Sequence, residues 1–447
     1  MSRSKTFPAE DAVSIDYARR VRKEQYPITG IVSLGGCLEF YNFTIFIFFA
    51  DVIGELFFPV GMPGWLRTFQ TWGLFAAGYL FRPLGGVVLA HFGDLFGRKR
   101  VFAFSILLMA TSTLGIGLLP TYASVGAIAP VLLLLCRVLQ GIAIGGEVPG
   151  AWTFVSEHAP PRNVGWACGM VCGGLALGIL VASSVAAIVN SLLQINDLHL
   201  FGWRLPFLLG GAFGLAGIKL RRILNETPVF TSLRKDKMLV PELPLRAVLR
   251  TQGYAVLWSM LVTWILSSVV VLTLMMPMML HNIYGFQKEQ ALLAASVSTL
   301  FLAIGAVIAG ALLDWVGPAR FFLLFVILLL IGALAYLKMS DADTMELYLL
   351  CAVVGLSGGV TAGTPYVMVS CFPARVRFTG VSFAYNTAYA FFGGVTPLLI
   401  TAMAPLGVTG YVIYYVLISI SSAVLGITLM RRPKLFGHAR SDPDRVD

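Results

Sequence analysis

The chain contains twelve apolar runs, each about as long as a helix must be to cross a lipid bilayer. Such a crossing needs about 20 residues, and the runs lie at approximately 28–50, 68–90, 101–119, 126–153, 164–190, 204–220, 253–280, 290–313, 319–338, 345–371, 377–403 and 408–430. Only 12% of the 447 residues are charged and 57% are hydrophobic, whereas roughly a quarter of a soluble domain is charged. We therefore predict an all-α integral membrane protein with twelve transmembrane helices.

One long basic linker divides the runs into two sets of six. We predict a tail at 1–27, a first six-helix half at 28–220, a linker at 221–252, a second six-helix half at 253–430 and a tail at 431–447. Of the 32 lysine and arginine residues, 25 fall in segments that would share one side with both termini. Because basic loops stay in the cytoplasm, we expect linker and termini to be cytoplasmic. This distribution accounts for the net charge of +10 without a nucleic-acid partner.

A compact basic loop joins the second and third runs. It reads GDLFGRKR at 93–100, and its glycines permit a tight turn. About 220 residues later, a looser echo places Asp314 and Gly317 at the positions of Asp94 and Gly97. A second match, at an offset of 215, relates residues 162–165 to residues 377–380. Together these matches indicate two parallel repeats related by an axis along the membrane normal.

The loop at 93–100 resembles the signature loop of major facilitator superfamily transporters. Five further stretches are similar to the metabolite:proton symporter branch of that superfamily, which includes permeases for citrate, shikimate, 2-oxoglutarate and proline or betaine. They are EFYN at 39–42, RPLGG at 82–86, RVLQG at 137–141 with GGE at 145–147, WRLPF at 203–207 with ETPVF at 226–230, and FPARVRFTGVS at 372–382. The resemblance implies two pseudosymmetric six-helix halves that work by alternating access.

Four ionisable side chains fall inside the apolar runs of the first half: Glu39, Arg82, Arg137 and Glu147. A charge at the bilayer centre costs about 2.5–3.5 kcal/mol even on a lenient scale, so it persists mainly where it faces a cavity or a partner. At the helical rise, Glu39 lies ~16 Å into its run and Arg82 lies ~18 Å from Asp94, near mid-membrane in both cases. We expect the charge chemistry to belong to the first half.

Each of these charges has a functional and a structural interpretation. A buried carboxyl group such as Glu39 can carry a proton, or it can pair with Arg82 or Arg137. The guanidinium of Arg82 can bind a substrate carboxylate, or it can lock helices together. Glu147, beside two glycines, is a proton site or an interhelical hydrogen-bond acceptor. We predict proton coupling through Glu39, Arg137 and Glu147, and Arg137 with Gln140 resembles the superfamily pattern linked to coupling.

A central substrate site is predicted from polar and aromatic side chains of both halves. Glu39 and Asn42 are three residues apart and share a helix face, and Tyr385, Asn386 and Tyr389 form a polar face of the eleventh run. Such groups can orient a small ligand, although aromatic stripes more often serve packing. The predicted substrate-binding residues are Glu39, Tyr41, Asn42, Arg82, Gln140, Thr361, Tyr385, Asn386 and Tyr389.

The resemblance also implies a gate formed by Gly93, Asp94, Gly97, Arg98, Glu157 and Asp314. Asp94 would meet a helix end in the other half, and Arg98 would pair with an acid at the end of the fourth run, here Glu157. These contacts would hold the outward-open state and break as the transporter turns inward. Asn42 departs from the family, which usually has an acid there, so only Glu39 could relay a proton in the first run.

The sequence thus predicts a secondary transporter of the cytoplasmic (cell inner) membrane that moves a small carboxylated or zwitterionic metabolite by proton symport. The proton gradient would replace a cofactor, since the chain has no P-loop motif. None of the six cysteines forms a metal-type pair, so we expect no metal site. The expected partners are the substrate, a proton and membrane lipid, and the expected state is a monomer.

Two alternatives stay open at this point. A proton-driven exporter or a carboxylate-type siderophore permease of the same fold would carry the same motifs. More distantly, the chain could be a substrate-sensing receptor or a channel. A membrane enzyme is not expected, because it would need paired histidines on a helix, or a serine or cysteine activated by a nearby histidine. The substrate and the direction of transport are not readable from the residues.

Overall fold

The computed structural model describes residues 9–222, 226–235, 244–403 and 406–431, and every regular element within them is a helix. The predicted terminal tails lie partly outside these residues. The first half contains α1 (Ala9–Phe48), α2 (Ala50–Phe57), α3 (Gly64–Leu80), α4 (Arg82–Phe96), α5 (Arg98–Leu118), α6 (Tyr122–Val125), α7 (Ile128–His158), α8 (Val164–Leu192), α9 (Ile195–Asp197), a π-helical turn (Leu198–Gly202) and α10 (Arg204–Arg222).

Two short helices lie in the linker, and seven follow in the second half. They are α11 (Pro228–Lys235), α12 (Pro244–Thr251), α13 (Gly253–Asn282), α14 (Lys288–Val316), α15 (Pro318–Lys338), α16 (Thr344–Ser357), α17 (Gly363–Cys371), α18 (Arg377–Ala402) and α19 (Val408–Arg431). Two 3₁₀ turns, Met339–Asp341 and Gly358–Ala362, flank α16. The linker is therefore partly helical.

The helices account for all twelve predicted spans. In the described residues, ten helical segments are long and apolar enough to cross a membrane, and the segment from Ile195 to Lys219, bent by 41°, is an eleventh. The twelfth is α18, whose 26 residues coincide with the eleventh predicted run. The all-α membrane architecture is thus confirmed. Some ends differ: α1 begins at Ala9, and the second span covers Gly64–Phe96 rather than 68–90.

The second span is broken between α3 and α4, and this break positions Arg82. Pro83 lies in the first turn of α4 and has no N–H group to donate to the carbonyl four residues earlier, so a helix is interrupted there. Phe81 joins the two helices, and Arg82 begins α4. Arg82, at this interruption, is fully buried in the bundle.

The two halves meet most closely where α8 packs on α14 and where α4 packs on α18. Gly169 and Gly310 allow the first of these contacts, because a Cβ atom on Gly169 would lie 2.9 Å from Cα of Gly310. Both contacts are at the end of the bundle that carries the loop at 93–100, which we call the basic end. The repeat extends to backbone conformation, since Gly97 and Gly317 both have positive φ, of 109° and 83°.

Candidate functional site

Arg82 lies in a box of four aromatic rings. Its guanidinium carbon is 4.3 Å from the ring centre of Tyr389, 5.2 Å from Tyr385, 5.7 Å from Tyr79 and 6.0 Å from Phe43. A cation is attracted to the faces of such rings, and more strongly when water is excluded. Phe43 and Tyr79 belong to the first half and the other two rings to α18. This arginine box therefore lies between the two halves.

Only one guanidinium nitrogen of Arg82 has a hydrogen-bond partner in the described residues. Nε donates to Oδ1 of Asn386 at 3.3 Å, whereas Nη1 and Nη2 have no partner with good hydrogen-bond geometry, and the phenol groups of Tyr385 and Tyr389 lie within hydrogen-bonding reach of the guanidinium. Unsatisfied donors in a buried charged group are costly. Two parallel N–H donors match the two oxygens of a carboxylate. The box can therefore bind an anion through the terminal nitrogens.

Asn386 is fixed by both halves. Its Nδ2 donates to the Gly145 carbonyl of α7 at 2.6 Å and to the Ser382 carbonyl at 2.8 Å. Ser382 donates its hydroxyl to the carbonyl of Gly86 at 2.9 Å. The bonds to the carbonyls of Gly145 and Gly86 attach α18 to α7 and α4 beside Arg82. Separation of the halves would break them together and release Nε of Arg82.

A small cavity of about 30 Å³ lies beside the box, and Tyr385 belongs to both. Its wall includes Phe40 from α1, Cys172 from α8, Val270 from α13 and Thr361 from the turn before α17. A water molecule needs roughly 10–15 Å³ of such space, and typical ligand sites have about 300–1,000 Å³. The cavity is therefore too small for a metabolite, and a ligand of that size would fit only if the halves moved apart here.

The two buried acids of the first half lie on helices that border the box. Glu39 is 2% exposed and lies one helical turn before Phe43, so the two side chains share a face of α1. Glu147 is 1% exposed and lies two residues after Gly145, the acceptor of Asn386. Their predicted roles in proton coupling stay predictions. The structure places both acids within one helical turn of a residue that contacts Arg82 or Asn386.

Arg137 and Gln140 form a network inside the first half. Nη1 of Arg137 donates to Oε1 of Gln140 at 2.6 Å, and the guanidinium carbon lies 4.5 Å from the ring centre of Phe46. Nε2 of Gln140 donates to Thr113 at 2.8 Å and to the carbonyl of Asn42 at 3.3 Å. The pair thus joins α1, α5 and α7. The geometry supports a structural role at least as directly as the predicted coupling and substrate binding.

Tyr41 and Asn42 face α10 and not the box. The hydroxyl of Tyr41 donates to the carbonyl of Pro206 at 2.8 Å, and its ring packs edge-on against Phe213 at 5.0 Å. Oδ1 of Asn42 lies against Gly210. Consecutive residues of an α-helix are about 100° apart, so residues 39–42 cannot all face one site. The position at which the family usually has an acid therefore lies within the first half.

The other predicted binding residues do meet at the interface between the halves. Tyr389 stacks on Tyr79 with ring centres 5.8 Å apart, and Tyr385 packs against Trp152 at 4.9 Å. The carbonyl of Thr361 lies 3.8 Å from the thiol of Cys172. Sequence reasoning missed three members of this group: Phe43, Tyr79 and Trp152. For Phe43 and Tyr79 the available signal was their same-face spacing from Glu39 and Arg82, whereas Trp152 had no such signal.

Two aspartates at the basic end cap helices of the opposite half. Asp94, near the end of α4, accepts hydrogen bonds from the backbone N–H of Thr379 at 3.0 Å and from its hydroxyl at 2.7 Å. Asp314, near the end of α14, accepts from the N–H groups of Gly165 and Trp166, both at 2.7 Å. Helix N-termini favour such carboxylates, because their N–H groups lack intrahelical partners and the helix dipole is positive there. These reciprocal contacts close the basic end.

The described partner of Glu157 is an arginine of the other half. Nη1 of Arg377 donates to Oε1 of Glu157 at 3.2 Å, and both residues are 8% exposed. Arg377 also donates to the carbonyl of Phe372 at 3.3 Å and is close enough to Asp94 for electrostatic interaction. The side chain of Arg98, the predicted partner, lies outside the described residues. Sequence reasoning used Arg377 as part of the repeat and of the stretch at 372–382, and did not predict it as the partner of Glu157.

The gate glycines lie at points of close contact. Gly93 packs against the ring of Phe378, so a side chain at this position would collide with α18. Gly97 ends α4 with a φ of 109°, a conformation that other residues rarely adopt. Next to it, Oε2 of Glu226 accepts the backbone N–H of Lys99 at 3.2 Å. The linker therefore contacts the same loop.

Comparisons with known proteins agree with this architecture. Residues 32–397 match the family described as the Major Facilitator Superfamily. A protein of Staphylococcus aureus (strain COL), provisionally named a proline/betaine transporter, is 33% identical over 388 residues, which are 85% of this chain and 81% of the relative. The glycine betaine/proline/ectoine/pipecolic acid transporter OusA of Dickeya dadantii (strain 3937) is 28% identical over 440 residues, 95% of this chain and 85% of the relative.

The fold is also similar to that of a solved transporter. The proton:xylose symporter XylE of E. coli, bound to 6-bromo-6-deoxy-D-glucose, aligns with a TM-score of 0.75 at 16% sequence identity. The alignment covers 91% of this chain and 95% of XylE. At that identity the likeness concerns the fold alone.

Proposed function

Because this chain belongs to the Major Facilitator Superfamily, we propose that it carries a small zwitterionic metabolite with one carboxylate group by proton symport. Membership makes it a multi-pass secondary transporter of a small molecule and not an enzyme, in agreement with the sequence prediction. The observation that carries the proposal is the buried fork of Arg82, whose two terminal nitrogens have no hydrogen-bond partner in the described residues. The proton gradient would supply the energy, with no cofactor.

The arginine box suits the two charges of a zwitterion. The terminal nitrogens of Arg82 would hold the carboxylate in a bidentate arrangement. A cationic nitrogen would then lie against aromatic faces. Tyr79 and Tyr385 lie beside Arg82, and Trp152 packs against Tyr385. The four compounds in the name of OusA each combine one carboxylate with one cationic nitrogen. This favours a betaine- or proline-like substrate over a polycarboxylate.

Glu39 is the proposed proton carrier. Its ionised carboxylate and that of the substrate would both be drawn to the positive charge of Arg82, and two anions in one low-dielectric site repel each other. Protonation of Glu39 removes this competition, so a proton and a substrate would bind together. Asn42 lies against Gly210 and away from the box, so the proposal needs no second acid in α1.

The proposed orientation places the basic end, the linker and both termini in the cytoplasm of a bacterial cell, with the chain in the cytoplasmic (inner) membrane. Basic segments are retained on that side. Closed contacts at Asp94 and Asp314 would then prevent release to the cytoplasm, while the two six-helix halves, at 28–220 and 253–430, rock about the central box. We propose a monomer as the working unit, surrounded by lipid.

Uptake into proteoliposomes tests the proposal. Glycine betaine, proline and ectoine would be compared with citrate and xylose, with and without an inward proton gradient. We expect saturable, gradient-stimulated uptake of at least one zwitterion. Glu39→Gln should abolish stimulation, and Glu55→Gln should not, since Glu55 is 49% exposed on α2.

Three outcomes would contradict parts of the proposal. Uptake that ignores the gradient would remove proton coupling, and preferential uptake of citrate would remove the zwitterion. Saturable efflux from loaded vesicles, with no uptake of any compound, would instead favour an exporter of the same fold.

A further inference from the structure

A second cavity, of about 780 Å³, lies at the basic end between α4 and α12. The short linker helix α12 also packs against α13 and α18 of the second half, whereas α4 belongs to the first half. The cavity is therefore bounded by the first half and by a linker helix that packs on the second half. Its walls contain none of the side chains of the arginine box or of the aspartate caps, so neither the proposed substrate site nor the gate explains it.

The lining residues of this cavity form matched stripes. On α4, Val88 and Phe92 are four residues apart and are 41% and 46% exposed. On α12, Leu245 and Leu249 make an apolar stripe, and Arg246 and Arg250 make a basic one beside it. Residues four apart lie on one face of a helix. The remaining lining residues are Val87 and His91, and no acid is among the eight.

We infer that this cavity binds one anionic phospholipid. Arg246 and Arg250 would hold the phosphate, and the acyl chains would cover Val88, Phe92 and Leu249. Basic pockets between helices on the cytoplasmic side of membrane proteins bind anionic head groups, and a short basic amphipathic helix lies naturally in the head-group layer. A soluble anion would satisfy the arginines but would leave the three exposed apolar side chains in water.

A lipid in this position has a conformational consequence. It touches α4 of the first half and α12, which is packed on α18 of the second half. Separation of the halves at the basic end would pull these walls apart. Because a ligand favours the state in which its contacts are complete, the bound lipid would stabilise the closed basic end.

Native mass spectrometry of the full chain tests the inference. Protein extracted from nanodiscs of phosphatidylcholine and phosphatidylglycerol should retain one phosphatidylglycerol. The double variant Arg246→Gln/Arg250→Gln should bind it about 30-fold more weakly, because each basic residue near an anionic surface contributes about fivefold. Arg234→Gln/Lys235→Gln is the matched control, since it removes two exposed charges from α11, outside the cavity.

A second variant separates binding of the lipid in the cavity from its general electrostatic attraction to the two arginines. Val88→Trp fills the cavity from α4 while both arginines remain, and it should also lose the lipid. Equal retention in the arginine variant, equal loss in the α11 control, or displacement of the lipid by excess inorganic phosphate would each overturn the inference. None of these readouts depends on transport, so they stand apart from the test of the proposed function.

Discussion

Asp94 accepts two hydrogen bonds from Thr379, a residue 285 positions later in the chain and in the opposite half, at 3.0 Å from the backbone N–H and 2.7 Å from the hydroxyl. One carboxylate thus caps a helix of the other half at the closed end of the bundle. Asp314 does the same for α8 through Gly165 and Trp166. The closed state is therefore held at the basic end as well as by the bonds of Asn386 and Ser382 beside the arginine box.

Replacing Asp94 with asparagine should shift the equilibrium toward the state open at the basic end. Asparagine keeps an acceptor oxygen but loses the charge that favours the helix N-terminus. Hydrogen bonds to charged groups contribute about 1.5–3 kcal/mol, so the ratio of the two states should change at least about tenfold. Double electron–electron resonance would measure the change, as the distance between two spin labels placed at the basic end, one on each half.

Asp343→Asn is the control for the loss of a helix cap. Asp343 caps α16 by accepting the N–H of Glu346 at 2.8 Å, within one half. This variant should leave the distance distribution unchanged. Equal distributions for Asp94→Asn and the unmodified protein would show that the cap does not bias the gate.

Removing one partner of the buried pair between Glu157 and Arg377 should destabilise the protein strongly. The remaining charge would be left in the interior, which costs about 3–5 kcal/mol. The double variant Glu157→Leu/Arg377→Met should lose less than the sum of the single variants. Thermal unfolding of the four proteins in detergent gives the coupling energy, and strictly additive effects would contradict a direct pair.

The exposed pair between His199 and Glu55 provides a comparison for the measurements on Glu157 and Arg377. Its atoms lie 2.8 Å apart, but the side chains are 31% and 49% exposed. Surface pairs contribute about 0–1 kcal/mol. Glu55→Gln should therefore change the unfolding temperature much less than Glu157→Leu does.

Arg82→Lys should impair transport although the positive charge remains. An ammonium group cannot offer two parallel donors to a carboxylate, and losing one charged hydrogen bond reduces binding by roughly ten- to a hundredfold. The measurement is the concentration dependence of uptake, with KM expected to rise. Unchanged KM would indicate that Arg82 locks helices and does not bind substrate.

Arg204→Lys is the matched control for this substitution. The guanidinium of Arg204 donates to the carbonyls of Gly117 and Leu119 at 2.8 Å and 2.7 Å, at the end of α5. The change should lower stability slightly and leave KM for the substrate as it was.

Gly310→Ala should loosen the contact between α8 and α14. An added Cβ atom would lie 2.9 Å from Cα of Gly169 and closer still to the carbonyl oxygen of Gly165. Overpacking of this kind costs about 1–3 kcal/mol, so amide hydrogen exchange in α8 and α14 should accelerate about tenfold or more. Gly394→Ala, with no atom within 4 Å of the added group, should leave exchange there unchanged. If amide exchange in α8 and α14 of Gly310→Ala were as slow as in the unmodified protein, the close contact between the two helices would be contradicted.

The fold was predictable because a bilayer imposes a length on every apolar run. All twelve runs proved helical, and membership of the superfamily confirmed the predicted transporter class. The break at Phe81 was not predicted, although Pro83 was its signal. The predicted ends of the two halves and the positions of the tails stay predictions.

The residues of the site were largely predictable from their type, but the directions in which their side chains point were less so. Arg82, Tyr385, Asn386 and Tyr389 meet in space, as polar groups in apolar runs must find partners. Tyr41 and Asn42 face α10 instead, because a motif of consecutive residues turns around its helix. Arg377 was missed as the partner of Glu157, since the two are 220 positions apart and no local pattern links them.

The two aspartate caps are related by the repeat, but their surroundings are unequal. At the offset of 215 residues, Glu157 corresponds to Phe372, which cannot form an ion pair, so the cap on α8 has no equivalent of the bond between Glu157 and Arg377. This bond attaches α7 to α18, so the contact of α18 with the first half includes an ion pair that the contact between α8 and α14 lacks in the described residues. The basic end is thus held shut by unequal contacts on its two sides, although the molecule is built from two similar halves.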